Sequence, residues 1–165
     1  MTSEPAMRPD GGGEPAEPLL LPQDIHAAVL EHCLRESPLE CCGLLGGVGK
    51  LVQSWHPLRN LAGSETSYQG DPQDLVNAWR WLREHAQEIL AIYHSHPRWD
   101  AVPSAVDRRD NHWGDMTHLI VSLLTDPPTL RAWRLSSDSQ QELPWSLVGV
   151  AGEPAVALRP AASAD

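Results

Sequence analysis

The sequence predicts an α/β fold, a single domain in which helices flank a β-sheet. Two stretches, after Pro22 and after Asp71-Pro72, repeat apolar residues at the three- and four-residue spacing of a helix. Short apolar runs lie between and after these stretches, and such runs are typical of buried strands. The chain has 165 residues, of which 41% are hydrophobic and 21% are charged, which is enough for one domain with a hydrophobic core.

The first two helices are predicted from their apolar stripes and their ends. The first follows Pro22 and ends before Ser37-Pro38, because the residue before a proline avoids the helical region. The second begins at Asp71-Pro72, with the aspartate as N-cap, and runs to about His85. The apolar stripe of the first consists of Ile25, Ala28, Val29, His32 and Cys33. The apolar face of the second consists of Leu75, Ala78, Trp79 and Leu82.

A third helix and six strands complete the prediction. The segment from Ser104 to Asp107 has the pattern of a capping box, so a helix is expected from there to about Trp113. A hairpin is expected within residues 39–58, with Gly46-Gly47 supplying the positive φ of its reversal. The expected strands are Cys41–Leu45, Leu51–Trp55, a buried central strand at Ile89–His94, His118–Leu124, Leu130–Leu135 and Leu143–Val150.

Both ends of the chain are expected to lie outside the domain. Residues 1–18 are rich in Pro, Gly and Glu and are expected to form a disordered tail. Residues 19–150 would form the domain, and residues 151–165 a flexible C-terminal tail.

Charge and composition exclude several kinds of partner. The net charge is −10 and Lys50 is the only lysine, so the basic patch of a nucleic-acid-binding protein is missing. No apolar run is long enough to span a membrane. Three cysteines, two of them adjacent, make a poor disulfide framework, and without a recognisable signal peptide a cytoplasmic location is expected. A monomer or a homodimer is expected.

The stretch from His94 to Asp107 carries the chemistry. His94 and His96 stand two residues apart at the end of a predicted strand, so their rings can face one point. Asp107, in the first turn of the next helix, can supply a carboxylate there. Two histidines and one carboxylate are a good zinc set that leaves the fourth position for a nucleophilic water. A lone pair of histidines at this spacing is common by chance and would more often lie at the surface.

The full pattern in this stretch resembles the signature of the JAMM, or MPN-plus, zinc metalloproteases. The residues are HSHP, then five residues, then Pro103-Ser104, then two residues, then Asp107. An upstream glutamate, Glu40, begins the segment ECCGLLGG, as in that family. The resemblance covers residues 21–150 and implies a mixed, curved β-sheet flanked by helices, an MPN/cytidine-deaminase-like architecture.

The resemblance also implies a role for each site residue. His94, His96 and Asp107 would ligate one Zn²⁺ ion, Glu40 would act as general base and acid, and Ser104 would donate a hydrogen bond to the oxyanion. The family hydrolyses amide or isopeptide bonds at the C-terminus of ubiquitin-like proteins. Only 53 residues separate Glu40 from His94, so the chain is similar to the compact prokaryotic members, which act on Gly-Gly sulfur carriers or their conjugates.

Other interpretations of single residues stay open. Glu40 can also be an exposed acid at a strand edge. Ser104 is also a good N-cap, and serving both roles at once would compromise each. Trp99 either lines the substrate groove or fixes the loop between the ligands. Cys41 and Cys42 are expected to pack in the core on opposite faces of a strand.

Two other functions were weighed. One is a non-catalytic MPN scaffold, which usually lacks the metal ligands that are present in this sequence. The other is a zinc deaminase, which would need an H-x-E and a P-C-x-x-C motif, neither of which occurs.

Overall fold

The computed structural model describes residues 15–149. Its elements, in chain order, are β1 (Leu19–Pro22), α1 (Gln23–Glu36), β2 (Cys42–Val48), β3 (Leu51–Leu58), α2 (Pro72–Glu84), β4 (Glu88–His96), α3 (Ala105–Arg109), β5 (Thr117–Ser122), β6 (Thr129–Leu135), β7 (Gln140–Leu143) and β8 (Trp145–Val148). The predicted α/β class is confirmed. Residues 1–14 and 151–165, which make up most of the two expected tails, lie outside the described residues, as does Val150, the last residue of the predicted domain.

All eight strands form one mixed sheet in the order β7-β6-β5-β4-β2-β3-β1-β8. The pairs β4–β5, β1–β3 and β1–β8 are parallel, and the remaining pairs are antiparallel. β7 and β8 lie at opposite edges of the sheet, yet Pro144 alone separates them in the chain. The two edges must therefore approach each other, so the sheet is strongly curved.

The two long helices cover opposite faces of this sheet. On the α1 face, Ile25, Val29 and Cys33 pack in one buried cluster with side chains of β2 and β4 such as Leu45 and Tyr93. On the α2 face, a second cluster contains Cys42, Leu44, Leu58, Ala78 and Ile92. Since neighbouring residues of a strand point to opposite faces, β2 and β4 each contribute to both clusters.

The predicted hairpin forms, but its reversal is not at the expected glycines. Gly46 and Gly47 lie inside β2 at an irregularity in its pairing, where a Cβ would collide with the Leu82 side chain and the Leu51 backbone, respectively. The turn instead uses Gly49, whose φ is +63°. The pair inside the strand is thus needed for close packing rather than for reversal.

The third helix is shorter than expected and ends at Arg109 rather than near Trp113. The Asn111 side chain accepts a hydrogen bond from the Trp113 N–H at 3.0 Å and donates to the carbonyls of Gly114 and Leu135 at 3.2 Å each. These local bonds compete with a further helical turn and stop the helix.

The last predicted strand, Leu143–Val150, corresponds to β8 and includes only the final residue of β7, so β7 and, at the start of the domain, β1 were not expected. Pro144 divides the segment, because it has no N–H to offer a ladder. β8 then pairs with β1, whose residues Leu19 and Leu21 are buried. In α2, Trp79 was predicted on the apolar face, but it is half exposed and lies against the guanidinium of Arg83. Among the described residues, no helix is long and apolar enough to cross a membrane.

Candidate metal centre and its flanking grooves

β4 places both histidines. It extends to His96, two residues beyond the predicted end, and His94 and His96 point to the α2 face, where both are buried. Their Nε2 atoms lie 3.1 Å apart. The outer nitrogen of His96, Nδ1, donates to the Asp100 carbonyl at 2.7 Å, which fixes the orientation of the ring.

α3 brings the carboxylate to these rings. Asp107 Oδ1 lies 3.2 Å from His94 Nε2, and Oδ2 lies 3.2 Å from His96 Nε2. The aspartate is held by a capping box, in which the Ser104 N–H donates to Oδ2 at 2.7 Å and Ser104 Oγ accepts from the Asp107 N–H at 3.1 Å. The sequence from 104 to 107 thus both starts the helix and orients its acid.

These three side chains fit a tetrahedral metal. Each offers one ligand atom, and those atoms lie within 4.8 Å of one another. The two Nε2 atoms lie 3.1 Å apart, and each lies 3.2 Å from a different oxygen of Asp107. With either oxygen as ligand, two edges are therefore close to the edge of about 3.3 Å expected for a tetrahedron with Zn–N bonds near 2.0 Å. Two nitrogens and one oxygen in this arrangement leave a fourth corner open, as in catalytic zinc sites.

The charges in the cluster favour a bound cation. Burial alone would raise the pKa of Asp107, but hydrogen bonds from His94 and His96 outweigh it and hold that pKa well below its usual range. Burial opposes protonation of His96, but Asp107 and the Asp100 carbonyl prevail and raise its pKa. The carboxylate therefore remains ionised and offers a metal a full negative charge.

Glu40 lies beside this cluster at the entry to β2. It is 3% exposed, and its Oε2 has no hydrogen-bond partner among the described residues. Its backbone is held on both sides, by the Ser64 carbonyl at 2.8 Å and the Asn60 side-chain amide at 2.9 Å. Burial raises the pKa of Glu40 to about 8, assisted by the charge of Asp107. A cation bound nearby would favour the ionised form.

Ser104 is compatible with two roles at once. In the capping contact its Oγ accepts a hydrogen bond, which uses a lone pair and leaves the hydroxyl hydrogen unused. No hydrogen bond in which this hydroxyl donates occurs within residues 15–149. The expected conflict between capping and oxyanion binding is therefore removed.

Two grooves flank the cluster. The Glu40 groove, of about 820 Å³, lies between the end of α1, the outer half of β3 and α2, and Glu40, Trp55 and Trp81 are among its lining residues. The Asp107 groove, of about 640 Å³, has Tyr68, Asp107 and Trp113 among its lining residues. One groove thus includes the buried acid Glu40, and the other includes the carboxylate of the cluster.

Two site residues were not identified from the sequence. Tyr68 lies in the loop between β3 and α2, and its ring stacks on that of His94 with centroids 4.6 Å apart. It is the only aromatic residue of that loop, which was the one available signal. His118, opposite Ile92 on β5, is buried with neither ring nitrogen paired among the described residues, and burial together with His94 lowers its pKa to about 4.

Trp99 and the two adjacent cysteines are the remaining residues singled out in the sequence. The Trp99 side chain is 60% exposed, whereas its carbonyl accepts from Ser122 Oγ at 2.6 Å and so fixes the loop to β5. A contact of Trp99 with substrate stays a prediction. Cys41 and Cys42 are both buried and belong to clusters on opposite faces of the sheet, as predicted.

Comparison with known proteins gives a consistent family. Residues 22–136 match the family described as prokaryotic homologues of the JAB domain. A desampylase of Haloferax volcanii is 32% identical over 111 residues, which are 63% of this chain and 80% of that protein. A CysO-cysteine peptidase of Mycobacterium tuberculosis is 31% identical over 134 residues, which are 79% of this chain and 91% of that protein.

Comparison with solved structures agrees with this family match. A solution structure of a protein from Desulfitobacterium hafniense superposes with a TM-score of 0.75 at 30% identity, covering 81% of this chain and 94% of that one. With the match over most of the described residues and the relatives at this identity, the chain belongs to the prokaryotic JAB family, the prokaryotic branch of the JAMM/MPN proteins, and is a hydrolase of the metalloprotease class.

Proposed function

We propose that the chain is a zinc-dependent metallopeptidase that hydrolyses an amide or isopeptide bond at the C-terminus of a ubiquitin-like protein, a sulfur carrier ending in Gly-Gly. The observation that carries this proposal is the buried, unpartnered carboxylate of Glu40 beside the cluster of His94, His96 and Asp107. Burying an unpaired carboxyl group lowers the stability of the fold. A role in general acid–base catalysis would account for its presence there.

The cofactor we propose is one Zn²⁺ ion held by His94, His96 and Asp107. The spacing of their ligand atoms and the ionised state of the aspartate support this choice. When bound there, zinc would acidify a coordinated water and polarise the scissile carbonyl.

The protein residues supply the proton transfers and the oxyanion contact. Glu40 takes the proton of the attacking water and delivers it to the leaving amine, since its Oε2 has no competing hydrogen-bond partner within residues 15–149. Ser104 donates its unused hydroxyl hydrogen to the oxyanion. Its backbone N–H stays on Asp107, so the hydroxyl is positioned by the same cap that positions the acid.

The shape of the site and the names of the relatives support the proposed substrate class. β1 pairs with β3 only at Leu20 and Leu51, so the half of β3 that lines the Glu40 groove has an edge without a neighbouring strand in the described part of the chain. An extended tail can add to such an edge through its backbone. Pro57 limits the added strand, because it offers no N–H. A relative named a CysO-cysteine peptidase supports a carrier with a small C-terminal adduct.

The partner and the setting are part of the same proposal. We infer that the partner is a ubiquitin-like sulfur carrier or its conjugate, rather than nucleic acid or a membrane, and that the enzyme works in the cytoplasm as a monomer or homodimer. The three buried cysteines are free thiols, which is in keeping with a reducing compartment.

The test is to incubate the purified protein with candidate sulfur carriers extended beyond Gly-Gly and to read the product masses. We expect release of a carrier that ends in Gly-Gly, complete loss of cleavage with a zinc chelator, and recovery on adding zinc. Binding of the carrier without any change in mass would refute hydrolysis and favour a scaffold. Cleavage that persists after the chelator has removed all zinc would refute the metal mechanism.

A further inference from the structure

A pair of cysteines lies on the α1 face of the sheet, behind the metal ligands. Cys33 comes from α1 and Cys41 stands directly before β2, and their sulfur atoms are 3.4 Å apart. Both side chains are buried and neither is in a disulfide. From 3.4 Å the two sulfurs need to approach by only about 1.4 Å to reach the length of an S–S bond.

Polar groups around the pair favour one thiolate and one thiol. The hydrogen bond with Cys33, followed by contacts with His32 and Ser95, lowers the pKa of Cys41 to about 5 although burial opposes it. The same hydrogen bond, together with burial, raises the pKa of Cys33 above its usual range. A thiolate in contact with a thiol is the combination from which disulfides form.

Cys41 is also coupled to the site. It is bonded directly to Glu40, and both residues line the Glu40 groove, so a small oxidant in that groove lies next to the buried Cys41. The Cys41 N–H donates to Ser95 Oγ at 2.9 Å, and the Ser95 N–H donates to the Cys41 carbonyl at 3.1 Å. A displacement of Cys41 toward α1 acts directly on Glu40 through the peptide bond between them, and it acts on the histidines of β4 only through these two hydrogen bonds to Ser95.

We propose that Cys33 and Cys41 form a reversible disulfide that withdraws Glu40 from its working position, so that a peroxide switches the hydrolase off. The regulatory part rests on the proposed role of Glu40. A shift of about 1 Å in a reacting group is enough to lower turnover about 100-fold.

The oxidation proceeds in two balanced steps. The Cys41 thiolate attacks one oxygen of hydrogen peroxide, the O–O bond breaks, and a sulfenic acid and a hydroxide form; the hydroxide takes up a proton from solvent, equal to the one Cys41 released on ionising, and becomes the first water. The Cys33 sulfur then attacks the sulfenic sulfur, the S–O bond breaks, and the hydroxide leaves as a second water with the Cys33 proton. Peroxide gains two electrons, and the two thiols lose them.

The test treats the zinc-loaded full chain with hydrogen peroxide and measures intact mass, linked peptides, zinc content and carrier cleavage. We expect a mass loss of two hydrogen atoms, a peptide linking Cys33 to Cys41, one zinc retained per chain, and at least about a tenfold fall in turnover that dithiothreitol reverses. Oxidation that leaves both thiols unlinked would overturn the proposal. So would a linked protein that cleaves the carrier as fast as the protein with both thiols free.

Two variants make the test specific. In Cys33→Ser the linked peptide should be absent, and a sulfenic-acid trap such as dimedone should label Cys41. The matched control, Cys42→Ser, removes a neighbouring buried thiol on the other face and should still form the link. If Cys42→Ser prevents the link, the pair is wrongly assigned. Should the reduced protein cleave no carrier, the proposed function fails, and the linked-peptide measurement decides the disulfide independently.

Discussion

Ser104 and Asp107 hold each other through two reciprocal hydrogen bonds, one of 2.7 Å from the Ser104 N–H to the carboxylate and one of 3.1 Å from the Asp107 N–H to Oγ. The same carboxylate contacts both His94 and His96 at 3.2 Å. A helix of only five residues is thereby joined to the end of β4 through a single side chain. Helix capping and the proposed metal ligation are thus combined in one carboxylate.

Replacing Ser104 should affect helix capping and catalysis to different extents, and the two effects can be measured separately. Ser104→Ala removes both the acceptor and the hydroxyl hydrogen, so we expect a loss of about 1 kcal/mol in unfolding free energy and a fall of about 100-fold in turnover with zinc content unchanged. Ser104→Thr keeps both groups and should retain most of each property. Chemical denaturation and steady-state cleavage measure the two effects. Normal turnover in Ser104→Ala would exclude the oxyanion role.

Asp107→Asn should remove the metal while keeping the shape of the helix start. The amide oxygen can still accept from the Ser104 N–H, but the negative charge between His94 and His96 is gone, so zinc affinity should fall more than about 100-fold. Competition with a chromogenic chelator measures this. Asp115→Asn, an exposed acid a few residues later, serves as the control and should bind zinc normally. Equal affinity in both variants would disprove the ligand assignment.

The sequence indicates the site well where its parts are local. His94, His96, Ser104 and Asp107 fall within 14 residues, so strand alternation and a capping pattern suffice to bring them together, and the structure places them in contact. Glu40 was identified as a site residue only through the family resemblance, because no local sequence pattern connects it to residues more than 50 positions away. Its burial beside the cluster depends on the pairing of β2 with β4.

The features that the sequence did not indicate depend on contacts between residues that are far apart in the chain. Tyr68 reaches His94 only because the loop between β3 and α2 folds over the α2 face, and nothing in a polar loop specifies that path. Cys33 appeared as one more apolar position of a helix, although it meets Cys41. The two consecutive strands on either side of Pro144 lie at opposite edges of the sheet. This arrangement depends on the curvature of the whole sheet rather than on local strand propensity.

Glu40→Gln should retain zinc and lose nearly all turnover. The amide has the size of the acid but cannot take or deliver the proton, so we expect a fall of about 100-fold or more in cleavage. Zinc content by elemental analysis should stay at one ion per chain. Glu31→Gln, an exposed acid on α1, controls for the loss of one charge. A variant Glu40→Gln that cleaves the carrier at the wild-type rate would rule out Glu40 as general base.

Glu40 should also make the stability of the metal-free protein depend on pH. Burial raises its folded-state pKa from 4.5 to about 8, so the folded state holds a proton that the unfolded state releases between these values. Its contribution to stability is fully present below the unfolded pKa and is lost as pH rises toward 8. Other groups titrate in the same range: the raised pKa of His96 acts in the same direction, and the lowered pKa of His118 acts in the opposite one.

The comparison with Glu40→Gln removes the contribution of His118, which is common to both proteins, and most of that of His96, whose pKa is raised only in small part by the charge of Glu40. With zinc removed by a chelator, we expect the wild type to lose at least about 1 kcal/mol more unfolding free energy than Glu40→Gln between pH 5 and pH 8. Urea denaturation at several pH values measures this difference. Parallel curves would mean that Glu40 ionises freely in the folded state, and a difference of opposite sign would mean that a partner holds it ionised. A positive ion at the metal centre should reduce the difference, because it favours the ionised carboxylate.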